Sequence, residues 1–140
     1  MVSLTRPSIN RSPQLQKYLA AGSAATSVCD LVALASDSSA RVKQHLAENA
    51  NTPVTILAKL AGDDCADVRA AVSENSRAPL GLLLILAHDD SPDVRLALAE
   101  NSRLPVEILN LLTNDINPYV ACKAEETVNR LRWAHFQRAA

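Results

Sequence analysis

Apolar and polar positions recur along this chain with a period of 26 residues. Leu31, Leu57, Leu83 and Leu109 form one apolar series. Leu34, Leu60, Leu86 and Leu112 form a second, and Val42, Val68, Val94 and Val120 a third. Leu46, Val72, Leu98 and Ala124 form a fourth. Polar landmarks keep the same step: Val42-Lys43, Val68-Arg69 and Val94-Arg95; Glu48-Asn49, Glu74-Asn75 and Glu100-Asn101; and Pro53, Pro79 and Pro105. A period of 20–50 residues predicts a stack of supersecondary units that share a core.

The spacing inside one period predicts two short helices. In the second unit Thr52-Pro53 opens the first helix, with Thr52 as a capping acceptor and Pro53 in the first turn. Leu57, Leu60 and Ala61 then fall on one helical face, and Gly62-Asp63-Asp64 stops the run. A second helix follows over about 66–74, with Val68, Ala71 and Val72 as its buried stripe and Asn75 as its end. Ser91-Pro92-Asp93 repeats the cap and proline logic, with an acid in the first turn. Helices of roughly nine residues span only about 14 Å, so one pair cannot bury its own stripe, whereas stacked pairs can.

Both ends depart from the pattern. Gly22, Ser23 and Ser27 occupy the Glu, Asn and Pro slots of a degenerate N-terminal unit, as a cap requires. Residues 1–13, with Pro7 and Pro13, read as a flexible arm. In the last unit Thr127 and Leu131 replace the Asn and Pro breakers. The helix is therefore expected to run from about Pro118 to near Gln137 and close the stack, with Trp133 and Phe136 packed on the last unit as the first reading and in contact with a partner as the second. The expected organisation is one domain over residues 14–140, in units of approximately 14–27, 28–52, 53–78, 79–104 and 105–140.

Composition adds three constraints. Aromatics are only 3% of residues, so the core must be aliphatic. Net charge is −1, but it is unevenly placed. Residues 1–20 carry Arg6, Arg11 and Lys17 and no acid, and the chain beyond Glu126 carries Arg130, Arg132 and Arg138 and no acid. The middle is acidic, with 8 basic against 15 acidic residues. Cys29, Cys65 and Cys122 are odd in number and form no Cys-x-x-Cys, which points to reduced thiols in a cytoplasmic protein. The longest apolar run, 82–87, is too short to span a bilayer.

The unit Pro-x-x-x-Leu-x-x-Leu-Ala-x-Asp-x-x-x-x-Val-Arg-x-Ala-Val-Ala-Glu-Asn resembles the leucine-rich-repeat-variant family, best at residues 53–75 and 79–101. The broader HEAT repeats look similar from Asp63 to Val68-Arg69. The resemblance covers roughly residues 28–126. It implies an all-α, right-handed α-solenoid of about four two-helix repeats, and it allows one helix of each pair to be a tight 3₁₀-like turn. An iron–sulfur cluster is known in that family. It needs clustered cysteine ligands, which this chain lacks, so no cofactor and no metal are expected.

Candidate chemistry is sparse. His45, His88 and His135 stand apart, no His-Glu pair repeats, and no Gly-rich phosphate loop occurs. No catalytic residues are assigned and no enzyme is expected. Asp37 with Lys43, Asp63 with Arg69 and Asp89 with Arg95 bracket the turn within each unit and read first as turn-tying ladders, second as a binding strip. The Glu48, Glu74, Glu100 and Glu126 series reads as solvated helix ends, with an acidic strip for a basic partner as the second reading. Asn49, Asn75 and Asn101 are expected to end helices in left-handed geometry or to bond loop backbones. His45, in a slot that holds Ala71 and Ala97 elsewhere, is expected to be half-buried.

These features suit a non-enzymatic scaffold that binds a protein partner on its concave face. The expected contact residues are Lys43, Arg69, Ser73, Arg95 and Leu96, among outward positions that also include Gln44, Ala47, Ala70 and Ala99. A HEAT-like nucleic-acid binder using the basic ends is the alternative. It is disfavoured by the acidic repeats, which repel phosphates. The first helix of the third unit is apolar nearly all round, a pattern normal for full burial. Leu84, Ile85 and nearby Leu111 are expected on the outer surface, either covered by the terminal helix or the N-terminal arm, or open as a self-association patch, most simply a homodimer seam.

Overall fold

A computed structural model describes residues 12–140. Most of the proposed N-terminal arm, residues 1–11, therefore lies outside the described residues. Pro13 does not belong to that arm. It is the first residue of helix α1 (Pro13–Ala21), and Ser12 caps the helix by accepting from Leu15 N at 3.3 Å.

The described residues are helical throughout, without strands. After α1 come α2 (Val28–Leu34), α3 (Ala40–Glu48), α4 (Val54–Leu60), α5 (Ala66–Glu74), α6 (Leu80–Leu86), α7 (Pro92–Glu100), α8 (Val106–Leu112) and α9 (Pro118–Ala139). Each odd helix packs on the next odd helix, and each even helix packs on the odd helices before and after it. The step-26 apolar series fills the space between: Leu57, Leu109, Val42, Val68, Val94, Val120, Leu46, Val72 and Leu98 are all buried. Burial of one such Leu or Val contributes about 1.5–3 kcal/mol, and no unit can bury its stripe without a neighbour.

Both helices of each pair are α-helices, so the 3₁₀ form allowed by the resemblance is not adopted. The caps also differ from expectation. Thr52 does not accept backbone N–H groups. It is buried, and its hydroxyl donates to Leu46 O at 2.7 Å, satisfying a carbonyl at the end of α3. Pro53 then sits at the N-cap, one place before the helix. Ser91 makes no side-chain cap bond; Asp89 Oδ1 instead accepts from Ser91 N at 2.8 Å. Asp37, Asp63 and Asp115 do the same for Ser39, Cys65 and Asn117. Asn49, Asn75 and Asn101 have extended backbones, not left-handed ones.

Gly22 has a packing role at the degenerate end. A Cβ there would lie 2.1 Å from His45 Nε2. The missing side chain lets the His45 ring stack on Tyr18, with centroids 4.2 Å apart and planes 6° from parallel. His45 is half-buried, as its slot implies.

At the other end α9 runs 22 residues because Thr127 and Leu131 stand where the other units carry the breaking Asn and Pro. Trp133 and Phe136 do not pack on the last unit. They are 63% and 65% exposed and touch each other, with centroids 6.0 Å apart. The nine residues of α7 are too few to accompany α9 over its full length, so the last turns have no neighbour.

Candidate protein-interaction surfaces

Two polar ladders tie the units together. In the first, a cation of one unit reaches the aspartate of the next. Lys17 pairs with Asp37 at 2.7 Å, Lys43 with Asp63, Arg69 with Asp89 at 2.8 Å and Arg95 with Asp115 at 2.7 Å. The expected pairs within one unit are therefore corrected by one step along the stack. The two arginines also serve their own turns, since Arg69 Nη1 donates to Asp63 O at 2.7 Å and Arg95 Nη1 to Asp89 O at 2.6 Å.

The aspartates are held ionised. Burial works to raise the Asp63 and Asp89 carboxyls, but the cation and the turn N–H outweigh it, and both lie below the usual carboxylate value. The Arg95 guanidinium does most to lower Asp115. The Lys17 ammonium does the same for Asp37.

The second ladder is built from asparagines. Asn75 Oδ1 accepts from Arg77 N at 2.8 Å, while Nδ2 donates to Ala47 O at 2.6 Å and Asn49 O at 3.0 Å in the preceding unit. Asn49 bonds Ala21 O and Ser23 O in the same way, and Asn101 reaches Ser73 O. An amide can do this because it carries donor and acceptor at once. Every buried side-chain polar atom among the described residues has a partner.

These ladders change the expected contact set. Arg95 is buried in its ion pair, Arg69 and Lys43 are half-buried in theirs, and Ser73 is fully buried with its hydroxyl on Ala70 O. Ala47 and Ala99 are also buried. The row from Lys43 to Arg95, expected to point outward, lies between units instead. The helix periodicity identified it as one face, but the stacking direction uses that face. Of the five, only Leu96 is half-buried without being held in an ion pair.

Three surfaces stay open. On the odd helices, Asp67 and Glu74 of α5 and Asp93 and Glu100 of α7 are exposed around half-buried Ala70, Leu96 and Ala97. On the even helices, Leu84, Ile85 (69% exposed) and Leu111 (51%) stand out, and Val28, Val32, Val54 and Leu80 extend this apolar edge along α2–α6. At the end of α9 stand Trp133 and Phe136. The sequence offered Glu74 and Glu100 as an acidic strip but missed Asp67 and Asp93 beside them, and it placed the open aromatic tip second to a packed one. The frame could have been found from the seven-residue spacing of Asp67 to Glu74 and of Asp93 to Glu100.

Among the described residues no group of His, Cys, Asp or Glu is placed to hold a metal, and no helix is long and apolar enough to cross a membrane.

Residues 66–91 match the family model of the leucine rich repeat variant. The match begins at the first residue of α5 and ends at the N-cap of α7, so it spans α5, α6 and the turns that follow them. It is the family that the repeating unit resembles. Neither the curated proteins nor the solved structures give a match to the chain.

Proposed function

We infer that this chain, whose centre is a leucine rich repeat variant unit, is a non-enzymatic scaffold that docks a partner protein in the cytoplasm. The reading takes residues 14–140 as a right-handed stack of about four units. One observation carries it: the apolar edge of the even helices, centred on Leu84, Ile85 and Leu111, stays uncovered among the described residues, whose buried polar groups are satisfied internally. Soluble proteins rarely leave a contiguous apolar patch of more than a few hundred Å² without a use. The edge runs across successive helices and suits the apolar face of an elongated segment laid along the stack. The ladder residues Lys43, Arg69 and Arg95 are not part of that edge; their charges are already matched.

Affinity capture with the purified chain tests this reading against Ile85→Glu. A protein recovered by the wild type and lost with Ile85→Glu supports the edge as a docking surface, and identical recovery from both contradicts it. Light scattering on the same two proteins shows whether the docked partner is a second copy. The nucleic-acid alternative predicts DNA binding that weakens steeply between about 50 and about 200 mM salt in fluorescence anisotropy. The scaffold predicts flat traces.

A further inference from the structure

The free end of α9 combines groups that no packing among the described residues uses. At about 100° per residue, Trp133 and Phe136 share one side of α9, opposite the buried Thr127 and Val128. Arg130 and Arg132 flank this aromatic pair on either side, while Arg138, two residues beyond Phe136, lies on the other side of the helix. None of the three arginines makes an ion pair among the described residues. Such a tip calls for an apolar floor bordered by carboxylates.

The same molecule presents that surface. Asp67 and Glu74 lie about 10 Å apart on α5, as do Asp93 and Glu100 on α7. The two helices pack side by side at roughly 8–10 Å. Ala70, Leu96 and Ala97 form the floor between them. At the C-terminal edge of this floor opens a hollow of about 270 Å³, lined by Glu74, Ala97, Glu100 and the turn residues Asn101, Ser102 and Arg103, with room for one aromatic ring. Asp67, Glu74 and Asp93 have no ion-pair partner among the described residues, while Glu100 faces Lys123 only at 3.9 Å.

The two surfaces face the same way. Glu126 occupies the slot of Glu74 and Glu100, and Trp133 follows it by seven residues, two turns along one side of α9. We propose that two copies of this chain associate face to face, the Arg-flanked Trp133–Phe136 tip of each seated on the acidic frame of α5 and α7 in the other. Because tip and frame share one face, a two-fold axis makes both contacts at once, as a closed dimer requires. Four half-exposed aromatics and their floors would bury on the order of 1,200 Å², at the lower end for specific interfaces. This seam is separate from the apolar edge of the even helices and leaves that edge open.

Trp133 is the only tryptophan, so its emission reports the seam directly. The measurements are Trp emission and light-scattering mass on the full chain from about 1 to about 100 µM, a range that spans a ~10 µM dissociation constant. With rising concentration the emission should shift to the blue and the mass should double from 15.0 kDa. Added salt should raise the dissociation constant at least tenfold. Glu74→Lys/Asp93→Lys and Arg130→Glu/Arg132→Glu should each stay monomeric with unchanged helical circular dichroism. Mixed together, they should dimerise again, since each restores both charge matches of the other. Trp emission that stays constant across the series, or association that survives in both variants, overturns the proposal. Ile85→Glu should leave this dimer intact, which separates its failure from failure of the docking edge.

Discussion

The Arg69 guanidinium grips the Asp89 carboxylate of the following unit through two parallel hydrogen bonds, Nε to Oδ2 at 2.8 Å and Nη2 to Oδ1 at 3.0 Å. Its remaining nitrogen, Nη1, donates to Asp63 O and Asp64 O in its own turn. One side chain thus fixes both the turn within a unit and the spacing to the next. Arg95 repeats the arrangement with Asp115, Asp89 O and Asp90 O.

Arg95→Ala should therefore destabilise the protein by about 2–3 kcal/mol, toward the lower range for breaking a buried pair, since the pair keeps some contact with solvent. Arg95→Lys should recover only part of the loss, because an ammonium cannot hold Asp115 bidentately and reach two carbonyls. Urea denaturation followed by circular dichroism gives both values. Equal stability of the alanine variant and the wild type would remove the ladder from the account.

Asn75 offers a sharper contrast. Asn75→Ala should cost about 3 kcal/mol, from two carbonyls and one N–H left unmatched in the interior. Asn75→Asp keeps the shape but sets a carboxylate against Ala47 O and Asn49 O, so it should destabilise more than alanine at neutral pH. Thermal melts should rank wild type above alanine and alanine above aspartate. Lowering the pH should narrow the gap to aspartate as that carboxyl gains a proton.

Acid should weaken the stack in a defined window. Asp37, Asp63, Asp89 and Asp115 all have folded-state values below the ordinary carboxylate value. The unfolded chain thus takes up protons first as pH falls. The ladder's contribution is present in full above the unfolded value of about 3.9 and is lost as pH falls through the lower folded values. The melting temperature should drop on going from about pH 5 toward pH 2. Asp89→Asn, less stable at pH 7, should lose less over the same interval.

Gly22→Ala should destabilise by about 1–3 kcal/mol, because its methyl group would collide with the His45 ring and force it from its stack on Tyr18. Adding His45→Ala restores the small side chain of the equivalent slots and should recover most of that loss. Chemical denaturation of the two single variants and the double variant checks the coupling, and strictly additive losses would mean that the two sites do not touch.

The helix pairs were legible in the sequence because an aliphatic series at step 26 has one economical explanation, and the limits of α5 and the long α9 followed from their breakers. The ladder partners were not legible. Asp63 lies six residues before Arg69 and Asp89 lies twenty after it, and only stacking makes the larger separation the shorter distance. Each aspartate accepts from its own turn through Oδ1 and from the preceding unit's cation through Oδ2, and Asp89 and Asp115 share Oδ1 between the turn and the arginine. The fate of Arg69, Ser73 and Arg95 shows the same gap. Periodicity groups residues on a face, but it does not show whether solvent or the next helix covers that face. Leu84, Ile85 and Leu111 were legible because a helix apolar on all sides has more such surface than two neighbours can cover.

The most direct test of the scaffold reading replaces Ile85 with photoreactive p-benzoylphenylalanine in the full chain and irradiates living cells. Asp64, exposed at a polar turn, carries the same group as a control. The account predicts a discrete cross-linked species with the Ile85 probe and little or none with the Asp64 probe. A species at twice the chain's 15.0 kDa would identify the partner as a second copy, and any other discrete mass a different protein. No adduct at Ile85, or a diffuse pattern equal to that at Asp64, would contradict the claim that this edge docks a partner.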